Sequence, residues 1–224
     1  EQFCKQAPTY RGEKAFTSGP VYIGAIICFL FVLGALIVPG PYKWALLIAT
    51  AFSITLAWGR NMMWLTELFF NYFPMYNKFR AVESILVVAE ITMPLLGILA
   101  LQRIIDKKLE WETLKKNLFI AGGITGGLSL FFALFGGVVD VTSTYDAQWV
   151  NQVPAWLEDA ILEERISMIK SDAWRSFIFI ALGFALIYWY ASKSEKAKGK
   201  SKDYLLYGTL FILVLADMIP VNRR

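Results

Sequence analysis

The stretch Leu118–Val139, LFIAGGITGGLSLFFALFGGVV, holds no charged residue. Roughly 17–25 apolar residues in a helix cross the hydrocarbon core of a bilayer. No water is present there to satisfy backbone N–H and C=O groups, so such a run closes its own hydrogen bonds as a helix. Reading outward from it, five further apolar stretches have the length to span or nearly so: Pro20–Val38, Tyr42–Trp58, Ala81–Leu101, Ala173–Ala191 and Tyr204–Pro220. The breaker cluster Pro39-Gly40-Pro41 divides the first two and predicts a helical hairpin. Of 224 residues, 57% are hydrophobic and 18% charged. With a mean hydropathy of +0.50, much of the apolar content lies in long runs, which argues against a soluble globular domain. The expected fold is all-α: a polytopic integral membrane bundle of about six transmembrane helices over residues 20–220, with two interfacial helices.

One interfacial helix is expected at 154–172, where Leu157, Ile161, Leu162, Ile166, Ile169 and Ala173 recur at helical spacing. Pro154 suits a helix start, and Glu158 and Asp159 suit the positive end of its dipole. An amphipathic helix of this kind lies on the membrane or on the bundle. The second is the more apolar stretch 61–72, which carries Glu67 and Asn71. Trp44, Trp58, Trp174, Trp189, Tyr188 and Tyr190 fall at span ends, where amphipathic rings favour the headgroup level.

Charge is segregated. Arg103, Lys107, Lys108, Lys115 and Lys116 sit in loop 102–117, and Lys193, Lys196, Lys198, Lys200 and Lys202 in loop 192–203. Alternating spans place both loops, and Lys43 beside the Pro-Gly-Pro turn, on one side of the membrane. Loop 140–172 sets Arg165 and Lys170 against Asp140, Asp146, Glu158, Asp159, Glu163, Glu164 and Asp172. The positive-inside rule makes the lysine-rich loops cytoplasmic. The flank 1–19 and loops 59–80 and 140–172 are then extracytoplasmic.

Other function classes recede. The bases do not interleave with aromatics on a soluble surface, so nucleic acid is not an expected partner. Cys4 and Cys28 form no disulfide framework or metal spacing, and the chain has no histidine for triads, zinc sites or imidazole shuttles. The chain begins Glu1-Gln2-Phe3, and residues 221–224 follow a hydrophobic stretch. The expectation is a segment of a longer protein, with 221–224 leading into a further outer segment.

The residues best suited to chemistry precede the third span, in Pro74-Met75-Tyr76-Asn77-Lys78-Phe79-Arg80. Two cations, an amide and a phenol at a membrane mouth fit a lipid phosphate or diphosphate. Arginine offers bidentate contacts and lysine a point charge. Flanking cations also serve as snorkelling anchors, which is their ordinary role. Glu83 and Glu90, seven residues apart, share a helix face. Glu83 suits the first turn. Glu90, read as near mid-span, lines a cavity or hydrogen-bonds a neighbouring helix, because an unpaired carboxylate there is costly. Asp217 lies near a span end and can reach the interface, with Asp172 and Arg175 as local partners. Gly122, Gly123, Gly126 and Gly127 form overlapping small-xxx-small pairs suited to close helix packing.

Thr17-Ser18-Gly19-Pro20-Val21-Tyr22-Ile23-Gly24-Ala25, Trp58-Gly59-Arg60-Asn61, Tyr76-Asn77-Lys78-Phe79-Arg80 and the terminal Asp217–Arg224 stretch together resemble the bacterial YfhO-like membrane proteins, particularly members common in Bacteroidetes. The resemblance implies a class C glycosyltransferase architecture in the bacterial inner membrane, using a polyprenyl-phosphate-linked sugar on the outer face. It assigns Asn77, Lys78 and Arg80 to the donor phosphate or acceptor, with Tyr76 beside them, and Glu83 and Glu90 to the cavity beneath. The catalytic aspartate of such enzymes lies in an early outer loop, outside this chain. No cofactor is implied by these residues, and the question of a divalent metal in the intact enzyme stays open. The expected partners are membrane lipid and the lipid-linked sugar. Two other classes stay open beside transfer: a transporter or flippase, and a non-catalytic membrane scaffold.

Overall fold

The computed structural model describes residues 21–74, 82–138, 141–142, 154–194 and 200–222. The described chain is all-helical and contains no strand. Its helices are α1 (Ala25–Ile37), α2 (Pro41–Ala57), α3 (Met63–Tyr72), α4 (Leu86–Ile105), α5 (Trp111–Phe135), α6 (Ala155–Ser194) and α7 (Lys200–Asn222). Segments of α4 to α7 are long and apolar enough to cross a membrane: Leu86–Ile105, Trp111–Val138, Trp156–Ser192 and Asp203–Val221. Many large apolar side chains face outward, among them Ile91 and Ile98 on α4, Phe119 and Phe131 on α5, and Phe211 and Ile212 on α7. In water this would be one extended apolar patch, whereas in lipid it is the bundle's natural surface.

α1 is shorter than its apolar run. It has 13 residues, about 20 Å of helix, and starts only at Ala25 because Gly24 holds φ 104°, a conformation that favours glycine. Its far end is fixed by Pro39, which disfavours helical backbone at Val38 (φ −79°, ψ 123°). Gly40 turns the chain at φ 93°, and Pro41 opens α2 at a position where its missing N–H costs nothing. The Pro-Gly-Pro break is thus where the sequence puts it. The two helices it joins nevertheless diverge: α2 packs mainly on α4, and α1 is surrounded by α4, α5, α6 and α7. Ile26, Phe29 and Leu33 on α1 are completely buried.

Glycines permit close approaches between helices. A Cβ on Gly34 would lie 2.7 Å from the carbonyl oxygen of Leu96, and one on Gly97 would lie 3.0 Å from Leu30 Cβ. α1 and α4 therefore meet almost backbone to backbone. In the glycine-rich stretch of α5, Gly122 faces Phe184 at 2.9 Å and Gly126 faces Phe177 and Ile180, whereas Gly123 and Gly127 have open space. Only one face of the expected packing motif is used against α6. Between α2 and α4, the hydroxyls of Thr50 and Thr92 bond at 2.7 Å, and Ser53 Oγ donates to the Ile85 carbonyl at 2.6 Å.

Two expectations about elements are revised. The amphipathic stretch 154–172 and the span 173–191 form one continuous helix, α6, of 40 residues. At 1.5 Å per residue it is about 60 Å long, roughly twice the hydrocarbon thickness. No glycine or proline separates the two parts, so nothing ends the helix between them. The aromatic residues also divide. Trp44, Trp58, Trp174 and Trp189 are exposed, but Tyr190 is buried and donates to Asp203 Oδ1 at 2.6 Å. Tyr188 packs edge-on against Trp111, with ring centroids 5.3 Å apart. These tyrosines tie α6 to its neighbours. α3, the second interfacial stretch, buries none of its residues, and Trp64, Phe70 and Tyr72 are exposed.

Candidate functional site

The beginnings of α1 and of the apolar part of α6 meet the end of α7 at one end of the bundle, around Asp217. Asp217 is fully buried. Its Oδ1 accepts a hydrogen bond from the Tyr22 hydroxyl at 2.7 Å, and its Oδ2 accepts the Ala25 backbone N–H at 2.7 Å. Ala25 is the first residue of α1, so the carboxylate of α7 caps α1 in place of a local side chain. The first N–H groups of a helix lack intrahelical partners and the helix dipole favours negative charge there. A Cβ on Gly24 would stand at ordinary contact distance from Asp217 Oδ2, 3.5 Å, so it is the φ of 104° rather than space that favours glycine there.

Arg175 completes the cluster. Its Nε lies 3.7 Å from Asp217 Oδ1 and its Nη1 lies 3.5 Å from Asp172 Oδ1. The guanidinium carbon stands 5.3 Å from the centre of the Tyr22 ring, within cation–π range. Both of those nitrogens are buried and have no hydrogen-bond partner among the described residues. Two carboxylates stand against one guanidinium, so the group has no surplus positive charge. Chemically it is a clasp that joins α1, α6 and α7, rather than an anion trap.

A second buried charge lies further along α6. Arg165 is 2% exposed, and its Nη1 donates to the Val141 carbonyl at 2.8 Å. It falls four residues after buried Ile161 and four before Ile169, on the inward stripe of the helix. That position is legible from spacing alone, although its charge suggests a loop residue.

The residues predicted for substrate binding are not gathered in one described site. Tyr76, Asn77, Lys78 and Arg80 lie outside the described residues. Glu83 belongs to the 3-10 turn Val82–Ile85 that precedes α4. Because α4 starts at Leu86, Glu90 sits in its second turn rather than near its middle, and its side chain is exposed. Pro94 adds a detail at this point: it has no N–H to return to the Glu90 carbonyl. Asp217 does not reach outward to the interface but is drawn into the bundle, where it faces Arg175, and Asp172 stands beside the same guanidinium. Tyr22 carries no sequence signal for its role, which depends on a contact across 195 positions. Among the described residues no group of three or more His, Cys, Asp or Glu side chains could hold a metal ion.

No family model, curated protein or solved structure matches this chain.

Proposed function

We propose that this chain is part of the membrane domain of an enzyme that transfers a sugar from a polyprenyl-phosphate donor to a cell-envelope acceptor on the outer face of a bacterial inner membrane. The observation that carries the reading is the asymmetry between the two ends of the bundle. Loops rich in lysine join the helices at one end, which the positive-inside rule makes cytoplasmic. At the other end the buried charges of Asp217 and Arg175 are paired with each other. That end is where the 3-10 turn Val82–Ile85 leads into α4, and Asn77-Lys78-Phe79-Arg80 comes shortly before that turn in the chain.

In this reading the clasp keeps the outer end of the bundle rigid, and the cations of the preceding element hold the donor phosphate. Lys78 and Arg80 would stabilise the negative charge that grows on the leaving phosphate as the glycosidic bond breaks, the usual task of a positioned cation. Glu83 and Glu90 would border the acceptor's path. A general base from elsewhere in the intact protein would take the acceptor proton.

Transfer of a labelled sugar from a polyprenyl-phosphate donor, measured in membranes containing the intact protein, tests this. Arg80→Ala should abolish transfer while the protein still inserts and accumulates normally. Unchanged transfer in that variant would refute the assignment. A transporter is the runner-up, favoured by one observation: α1 begins within its apolar run, as discontinuous transport helices do. Uptake of a solute into proteoliposomes driven by a proton gradient, with no sugar transfer, would support that reading instead.

A further inference from the structure

We propose that a cleft between α2 and α4 at the lysine-rich end binds one anionic glycerophospholipid, with its phosphate at Arg103 and an acyl chain along the apolar wall. The inference concerns the end opposite the Asp217 clasp and does not depend on the sugar-transfer reading. The cleft has a volume of about 470 Å³, and its lining includes Leu46, Leu95, Leu99, Gln102, Arg103 and Lys108. That size is in the range of small-molecule sites, which are mostly apolar with a few placed polar groups.

The end of α4 explains why cations gather here. Lys107 takes a left-handed conformation, φ 52°. Its N–H donates to the Ile104 carbonyl at 3.2 Å, and the Lys108 N–H donates to the Arg103 carbonyl at 3.2 Å. This pair of bonds is a Schellman turn, and it folds Lys108 back beside the last turn that carries Arg103. Arg103 Nε is buried and has no hydrogen-bond partner among the described residues. A buried donor lacking an acceptor is costly, and a phosphate oxygen would supply one.

Of the lining residues, Lys108 pairs with Asp106 at 2.8 Å. Both members of that pair are more than a third exposed, so it is weak and rearranges readily. Set against Asp106, the lining cations Arg103 and Lys108 leave a surplus of one positive charge. Basic pockets between membrane helices on the cytoplasmic side are suited to anionic headgroups. The leucine wall suits an acyl chain, which free phosphate does not have.

Native mass spectrometry of the intact protein tests the proposal, using palmitoyl-oleoyl phosphatidylglycerol against phosphatidylcholine with the same chains. We expect one phosphatidylglycerol retained per chain, preferred by roughly fivefold for each cation it meets. Arg103→Gln should remove most of that preference. Ala45→Trp, at another position lining the cleft, should lower retention of both lipids. Equal retention of the two lipids by the unaltered protein overturns the proposal without reliance on any variant. So does a preference that survives Arg103→Gln, or efficient disulfide linkage of two copies through Ala45→Cys in native membranes, which would place a second chain in the cleft.

Discussion

Asp217 shows how much one residue can do in an apolar bundle. Its two oxygens hold the Tyr22 hydroxyl and the first N–H of α1, and its charge faces Arg175. Removing a buried carboxylate that accepts two hydrogen bonds and faces a cation leaves the donors and the cation without their partner, at a cost of roughly 3–5 kcal/mol. Asp217→Ala should therefore lower the melting temperature of the purified protein sharply. Tyr22→Phe, which removes one bond to the carboxylate, should cost roughly 1–2 kcal/mol. Equal, small effects of the two changes in a thermal melt in detergent would show that Asp217 is not the centre of the clasp. The sequence exposes Asp217 as a charge in a hydrophobic stretch and suggests Arg175 and Asp172 as partners. It does not reveal that the carboxylate turns inward, since a position near a span end is equally suited to pointing out.

At the scale of elements, glycine position matters more than glycine number. Gly34 and Gly97 stand alone in their helices, yet a Cβ on either would press on Leu96 or Leu30 of the facing helix. Gly123 belongs to the conspicuous α5 cluster and meets nothing within 4 Å. Gly34→Ala would press a methyl group onto backbone, and overpacking of this kind costs typically 1–3 kcal/mol. Gly123→Ala has room for its methyl and should be neutral or stabilising by up to about 1 kcal/mol, the helix preference of alanine over glycine. Comparing the melting temperatures of the two variants checks this, and a loss at Gly123 as large as that at Gly34 would contradict it. The continuity of α6 makes the same point. Periodicity reveals an amphipathic half and an apolar half, but the change in the character of its exposed face does not itself end a helix.

For the whole molecule, the arrangement of helix ends yields a topology that can be checked. Arg103 and Lys108 lie at the opposite end of the bundle from Tyr22, Arg175 and Asp217, and the amphipathic part of α6 extends beyond the latter. In a background lacking Cys4 and Cys28, Lys108→Cys should react with a membrane-impermeant thiol reagent only from the cytoplasmic side. Glu164→Cys should react only from the outside. Labelling of both from one side would rule out the proposed orientation, and with it the outward-facing Asn77–Arg80 element on which the sugar-transfer reading rests.

The sequence by itself determined the helical membrane class, because long uncharged runs leave the backbone no other way to satisfy its hydrogen bonds in lipid. It also determined the break at Pro39-Gly40-Pro41, where proline and glycine act locally and need no neighbour. Which helices meet was decided only by the tertiary structure. Lipid tails are as apolar as leucine side chains, so hydrophobicity alone does not tell an inward face from an outward one. The choice falls to close fit at Gly34 and Gly97 and to the few polar groups that need partners. Those partners are distant in the chain: Thr50 finds Thr92, and Asp217 finds Tyr22 and the start of α1.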